Sequence, residues 1–295
     1  MKQLLSILSG ILCVSSSFGQ TKKIHIWHNT SVNNEDVTLS VYEPEHPNGK
    51  AVIICPGGSY FWLSLITEGH DVALRLKDEG YTAFVLNYRT GGIGAFITHY
   101  RKLGKGNHFP YQLQDLQRSL QLVRANADFY KVDDDKIGVI GFSAGGHLAL
   151  MAAVFGDDNY LTQLGITTTV SLKPDFIVTA YPVVSMTSPY THRRSRRGLL
   201  GERKEENKDL CEKLSIEKHV DKIMCPVFIV NCVDDPVVDY RNSVLLDEAL
   251  TASNKPHLYV QFKTGGHGFG VTPEKTSSEA GIWINSFFEW IKTAL

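Results

Sequence analysis

Ile137-Gly-Val-Ile140-Gly-Phe-Ser143-Ala-Gly-Gly-His147-Leu is the stretch that decides the fold. Residues 137–140 form a short apolar run, as in a strand buried on both faces. Ala144 to Phe155 reads as the next helix. Between the two, Gly141-Phe-Ser143-Ala-Gly145 matches G-x-S-x-G, a turn whose glycines let a serine hydroxyl project above a sheet. The N-terminus of the following helix favours negative charge developing beside that hydroxyl.

Working outward, the same alternation of strand and helix repeats. Residues 23–27 and 37–42 alternate as an antiparallel lead-in. Ala51-Val-Ile-Ile-Cys55 is continuously apolar and stops at Pro56-Gly57-Gly58. A helical stretch then runs to Lys77 and is closed by Gly80. Residues 82–86 read as a strand, and residues 89–107 as a Gly-rich irregular stretch. Pro110 opens a helix with Leu113, Leu116, Leu120 and Val123 on one face. Residues 176–180, 227–232 and 258–262 are further strands; 240–252 and 277–292 are helices. Such alternation predicts an α/β domain with a mostly parallel, doubly wound sheet covered by helices on both faces.

A serine hydroxyl is a weak nucleophile, so it needs a base, and the base needs an orienting acid. His257 immediately precedes a strand, which puts it below the site. His267, in Gly265-Gly-His-Gly268, follows the strand 258–262, at the sheet end where open α/β sheets bind ligands. His267 is therefore the expected base. The acid should follow the strand 227–232, where Asp234, Asp235 and Asp239 all qualify by position. An oxyanion needs backbone N–H donors. Ala144 is one, and the loop Pro56-Gly57-Gly58-Ser59 is the expected source of another. No CxxC or HExxH pattern suggests a metal, and this chemistry needs no cofactor.

The N-terminus stands apart. Lys2, an apolar run over 4–14 and then Ser15-Ser-Ser17 predict a secretory signal peptide over residues 1–19, cleaved near Gly19 or Gln20. Residues 20–295 are then one catalytic domain, secreted or periplasmic, with no membrane-spanning segment expected. The chain has 295 residues and a formal charge of -1, so nucleic acid is not an expected partner. Cys13 leaves with the leader. Cys55, Cys211, Cys225 and Cys232 are expected as buried thiols, since an extended strand would hold Cys225 and Cys232 about 23 Å apart. Residues 185–214 are polar, with His192-Arg-Arg-Ser-Arg-Arg197 ahead of several acids. They read as a solvated loop at the rim of the site, with binding of an acidic substrate as the alternative.

Taken in order, Cys55-Pro-Gly-Gly-Ser-Tyr60, Leu86-Asn-Tyr-Arg89, Gly141-Phe-Ser-Ala-Gly-Gly-His-Leu148, Asp234-Asp-Pro-Val-Val238 and Gly265-Gly-His-Gly-Phe269 resemble secreted bacterial α/β-hydrolases. Within these, the set is most similar to acetyl-xylan esterases and feruloyl-esterase-like carbohydrate esterases, from about Ala51 to Leu295. The resemblance implies Asp235, before Pro-Val-Val, as the catalytic acid with Ser143 and His267. It also implies Gly58 and Ser59, with Ala144, as oxyanion donors; Ser59 stands where many relatives have glycine. His147 and Arg89 are expected in structural bonds rather than in catalysis. Tyr60 and Trp62 are candidate sugar-stacking residues, with packing as the competing reading. The function implied is removal of short acyl groups, chiefly acetyl, from plant polysaccharide such as xylan. Alternatives are a feruloyl or general short-chain carboxylesterase, a prolyl-oligopeptidase-like peptidase, or a non-catalytic binder on the same scaffold.

Overall fold

The structure is a computed structural model that describes residues 22–98, 107–201, 207–271 and 279–295. The expected signal peptide over 1–19 lies outside these. The described residues hold eight strands: β1 (Lys22–His25), β2 (Thr38–Tyr42), β3 (Gly49–Cys55), β4 (Thr82–Asn87), β5 (Val132–Phe142), β6 (Ile177–Ala180), β7 (Val227–Cys232) and β8 (His257–Phe262). They form one sheet in the order β1-β2-β4-β3-β5-β6-β7-β8. The β1–β2 and β2–β4 pairs are antiparallel and every later pair is parallel, as the lead-in and the alternating pattern predict. Strand β5 is longer than its apolar run, because the exposed Asp133-Asp-Asp135 continues the extended backbone before the core begins.

The helices are α1 (Asp71–Asp78), α2 (Gly92–Thr98), α3 (Tyr111–Ala125), α4 (Ala127–Tyr130), α5 (Ala144–Val154), α6 (Arg193–Leu200), α7 (Lys208–Lys213), α8 (Arg241–Ala252) and α9 (Trp283–Ala294). Period-two side chains divide the core between the two sheet faces. On β3, Ala51, Ile53 and Cys55 join Leu113, Leu116, Leu120 and Val123 of α3, Leu148 of α5, and Leu246 and Leu250 of α8. Val52 and Ile54 point the other way, to Val72 and Leu76 of α1 and Trp283, Phe287 and Ile291 of α9. Each such fully buried aliphatic or aromatic side chain contributes about 1.5–3 kcal/mol. Double-sided burial thus explains why the central strands read as unbroken apolar runs.

Strand order reverses at the centre of the sheet. From β3 the chain passes to β4 on one side and later returns as β5 on the other. At such a switch point the loops leaving two adjacent parallel strands diverge and open a crevice. The two loops are the Pro56-Gly57-Gly58-Ser59 segment after β3 and the Ser143 turn after β5.

Two segments differ from expectation. The irregular stretch 89–107 contains α2. The presumed solvated loop 185–214 contains α6 and α7, with Ser195, Gly198, Leu199 and Leu200 of α6 buried. Four arginines over 193–197 mask that apolar seam in the sequence. Cys55, Cys211, Cys225 and Cys232 are all buried, as expected. Among the described residues no helix is long and apolar enough to cross a membrane.

Candidate active site

Ser143 is the single residue between β5 and α5, and it sits at φ 54°, ψ −117°. That backbone is strained for any residue with a Cβ, and it persists only where the surroundings fix it. Here its N–H donates to the Ala180 carbonyl (3.0 Å), and its carbonyl accepts from the Val183 N–H (3.1 Å). The flanking glycines are required by contact. A methyl group at Gly145 would stand 2.0 Å from the Cys55 carbonyl oxygen, and one at Gly141 would stand 2.1 Å from the Gly145 carbonyl oxygen.

His267 arrives on the loop after β8, with Nε2 3.0 Å from Ser143 Oγ. Its Nδ1 lies 2.7 Å from Asp235 Oδ2. The Asp235 side chain is 1% exposed, and its Oδ1 accepts the N–H groups of Val237 (2.8 Å) and Val238 (3.0 Å). The carboxylate therefore has fixed partners on both oxygens. A neutral imidazole with its proton on Nδ1 donates to Asp235 and offers the Nε2 lone pair to the serine hydroxyl. Asp234 has a different place: it accepts from Gly266 N–H (2.8 Å) and Gly265 N–H (3.3 Å), and so fastens the histidine loop. Asp239 pairs with Arg241, and His257 with Asp247 (3.0 Å). Neither joins the site.

Gly57 packs on the nucleophile: a methyl group there would be 2.9 Å from Ser143 Cβ. The next residues are Gly58 (φ 136°), Ser59 (φ 55°) and Tyr60 (φ 64°). This left-handed run folds the loop back, so that the Phe61 and Trp62 N–H groups donate to the Gly58 carbonyl (3.0 and 3.1 Å). Gly58 and Ser59 thus follow directly on the residue that packs against Ser143, and Ala144 follows Ser143 at the start of α5. Ser59 adopts a conformation that glycine takes more readily.

Tyr60 corrects one expectation. It is fully buried and cannot stack on a sugar; its hydroxyl meets His147 Nδ1 at 2.9 Å. The other ring nitrogen, Nε2, lies 2.8 Å from the Leu214 carbonyl and must donate to it. Nδ1 of the neutral ring then accepts from Tyr60, and burial pulls His147 down to about 4. His147 is therefore a structural tie, as expected. Arg89 is likewise buried in an ion pair with Asp115 (2.8 Å), which also takes the Trp27 indole N–H (2.7 Å). Trp62 remains half-buried at the rim, edge-on to Phe96 at 5.5 Å.

Two residues escape the sequence reading. Glu68 is buried, takes the Gly57 N–H on Oε2 (2.8 Å) and receives the Tyr181 hydroxyl on Oε1 (2.9 Å). Burial pushes its carboxyl up, opposed by those two bonds and by the nearby charge of His267. Tyr181 lies against the His267 ring, with centroids 4.6 Å apart. Glu68 and Tyr181 thus connect the oxyanion-side loop to the base. No motif spacing announces either residue, since the connection exists only once the segments that follow β3, β6 and β8 meet at one end of the sheet. Helix α6 also belongs here: a methyl group at Gly198 would lie 2.2 Å from the Ser59 carbonyl oxygen.

Among the described residues no group of three or more His, Cys, Asp or Glu side chains is arranged to hold a metal ion. The arrangement suits acyl transfer through a hydroxyl nucleophile, a relaying imidazole and backbone donors.

Comparison with known proteins agrees with this geometry. The chain is 33% identical over 224 residues to endo-1,4-beta-xylanase B of Butyrivibrio fibrisolvens, covering 76% of this chain and 33% of that protein. It is 27% identical over 251 residues to the acetylxylan esterase of Xylanibacter ruminicola, covering 82% of this chain and 47% of that one. The chain thus spans a third to about half the length of these curated relatives. A solved structure, the acetyl ester-xyloside bifunctional hydrolase from Caldicellulosiruptor lactoaceticus, superposes with a TM-score of 0.76 at 29% identity, covering 92% of this chain and 97% of that one. The BD-FAE family model matches residues 39–250, a span that holds Gly58, Ser143 and Asp235 and stops short of His267. A match running from β2 to α8 through the nucleophile turn means that this chain belongs to the BD-FAE family and has the α/β-hydrolase fold.

Proposed function

We propose that this protein is a serine carboxylesterase that removes short acyl groups, chiefly acetyl, from a plant polysaccharide such as xylan. The observation that carries the mechanism is the continuous chain Ser143 Oγ, His267 Nε2, His267 Nδ1 and Asp235 Oδ2, with both links at hydrogen-bond distance. Ser143 attacks the ester carbonyl while His267 takes its proton. The N–H groups of Ala144 and of the Gly58–Ser59 loop receive the oxyanion. His267 then returns the proton to the departing sugar hydroxyl, leaving an acyl-enzyme that water hydrolyses by the same path. Asp235 holds the ring in the required tautomer and stabilises the imidazolium.

The acetyl and xylan parts of the reading draw support from what the similar proteins are named for, an acetylxylan esterase and an acetyl ester-xyloside hydrolase. Polymeric substrate also accords with the export expected from residues 1–19. Acetate release from acetylated xylan, followed beside hydrolysis of an aryl acetate, tests the proposal. Release from both supports it. Serine-dependent hydrolysis of the aryl ester alone keeps the esterase and removes xylan.

A further inference from the structure

Helix α6 lines a cleft next to the oxyanion-side loop with four arginines. Arg193, Arg194, Arg196 and Arg197, with Phe96 of α2, line a cavity of about 380 Å³. The cleft adjoins the oxyanion-side loop at two points. Gly198 seats on the Ser59 carbonyl, and Arg194 lies over the Trp62 ring at 5.8 Å. His192, which opens α6, is tied within its own helix, with Nδ1 2.8 Å from Ser195 Oγ.

The cations differ in how they are held. Arg196 donates to the Met186 carbonyl (3.0 Å), and Arg197 donates to the Phe96 carbonyl (3.4 Å) while lying 5.1 Å from the Phe61 ring. Those contacts fix the direction of two guanidinium groups. Arg193 is exposed and Arg194 half-buried, and neither forms a salt bridge with a described residue. A bound anion would give Arg193 and Arg194 the ion-pair partner that the described residues do not supply. The planar fork of arginine matches a carboxylate with two parallel N–H···O bonds.

Resting on the esterase reading above, we propose that the α6 cleft binds a carboxylate of the substrate, so that the preferred polymer is an acylated polysaccharide bearing uronic acid residues. The ester under attack lies at Ser143, and a uronate elsewhere on the same chain reaches over the Ser59–Trp62 rim into the arginine cleft. No bond is made or broken there; the cleft supplies affinity and register.

The test uses acetylated glucuronoxylan before and after enzymatic removal of its uronic acid groups with the acetyl groups left in place. Wild-type protein at low salt should lose about tenfold in kcat/KM for acetate release when the uronate is removed. The preference should shrink in about 0.5 M salt, where screening shortens the reach of the charges. An Arg193→Gln, Arg194→Gln variant should lose the preference while hydrolysing an aryl acetate at the wild-type rate. Equal wild-type rates on the two polymers, or a variant that keeps the preference, overturns the cleft proposal and leaves the esterase standing. Hydrolysis of the aryl acetate with no release from either polymer overturns the polysaccharide substrate and the cleft together.

Discussion

Asp235 Oδ2 stands 2.7 Å from His267 Nδ1, while the adjacent Asp234 carboxylate holds only backbone N–H groups of the histidine loop. Two consecutive acids thus divide the work of orienting one imidazole. Asp235→Asn should lower kcat by about ten-thousand-fold, because an amide there favours the wrong tautomer. Asp234→Asn removes one of two loop ties and should lower kcat about tenfold. Steady-state kinetics on an aryl acetate distinguishes them; equal losses would contradict the assignment.

Glu68 and Tyr181 should act on the site without touching substrate. Glu68→Gln removes a buried charge that faces His267. The Gly57 N–H then loses its charged acceptor, so kcat should fall about tenfold while KM changes little. Tyr181→Phe keeps the carboxylate and should lower kcat less. An unchanged kcat in Glu68→Gln would show a packing role only.

The Gly145 contact is backbone against backbone and cannot be relieved by a rotamer. Gly145→Ala should destabilise the fold by about 3 kcal/mol or more, because the methyl group meets the Cys55 carbonyl at the sheet centre. Urea unfolding measures this, and a loss below about 1 kcal/mol would refute the close approach.

His147 makes stability depend on pH. Its folded value of about 4 lies below the ordinary 6.5. The unfolded chain binds the proton more readily, so the contribution is complete above pH 6.5 and is lost as pH falls towards 4. Between pH 7 and 5 the wild type should lose about 2 kcal/mol more than His147→Gln. Parallel losses in urea titrations would contradict a neutral, buried His147.

Much of this was legible from local pattern. The central strands announced themselves because burial on both faces leaves unbroken apolar runs, Ala51 to Cys55 in β3 and Val227 to Val230 in β7. Ser143 was legible because its turn requires glycine at fixed offsets, and His267 because it follows the last strand. What local pattern does not encode is contact between distant segments. The separation of Asp235 from Asp234 came from resemblance, and its geometry needs the loops after β7 and β8 side by side. Tyr60 looked like a surface aromatic because its partner His147 lies 87 residues away. Helix α6 was hidden because its arginines outnumber the small residues that seat it on Ser59.

The most direct test of the account is acetate release from acetylated xylan and from an aryl acetate by wild-type protein and by Ser143→Ala, with folding of the variant checked by circular dichroism. The account predicts release by the wild type and, in a folded variant, a loss of kcat on the order of a million-fold on both substrates. A folded Ser143→Ala variant that still releases acetate at the wild-type rate would contradict it.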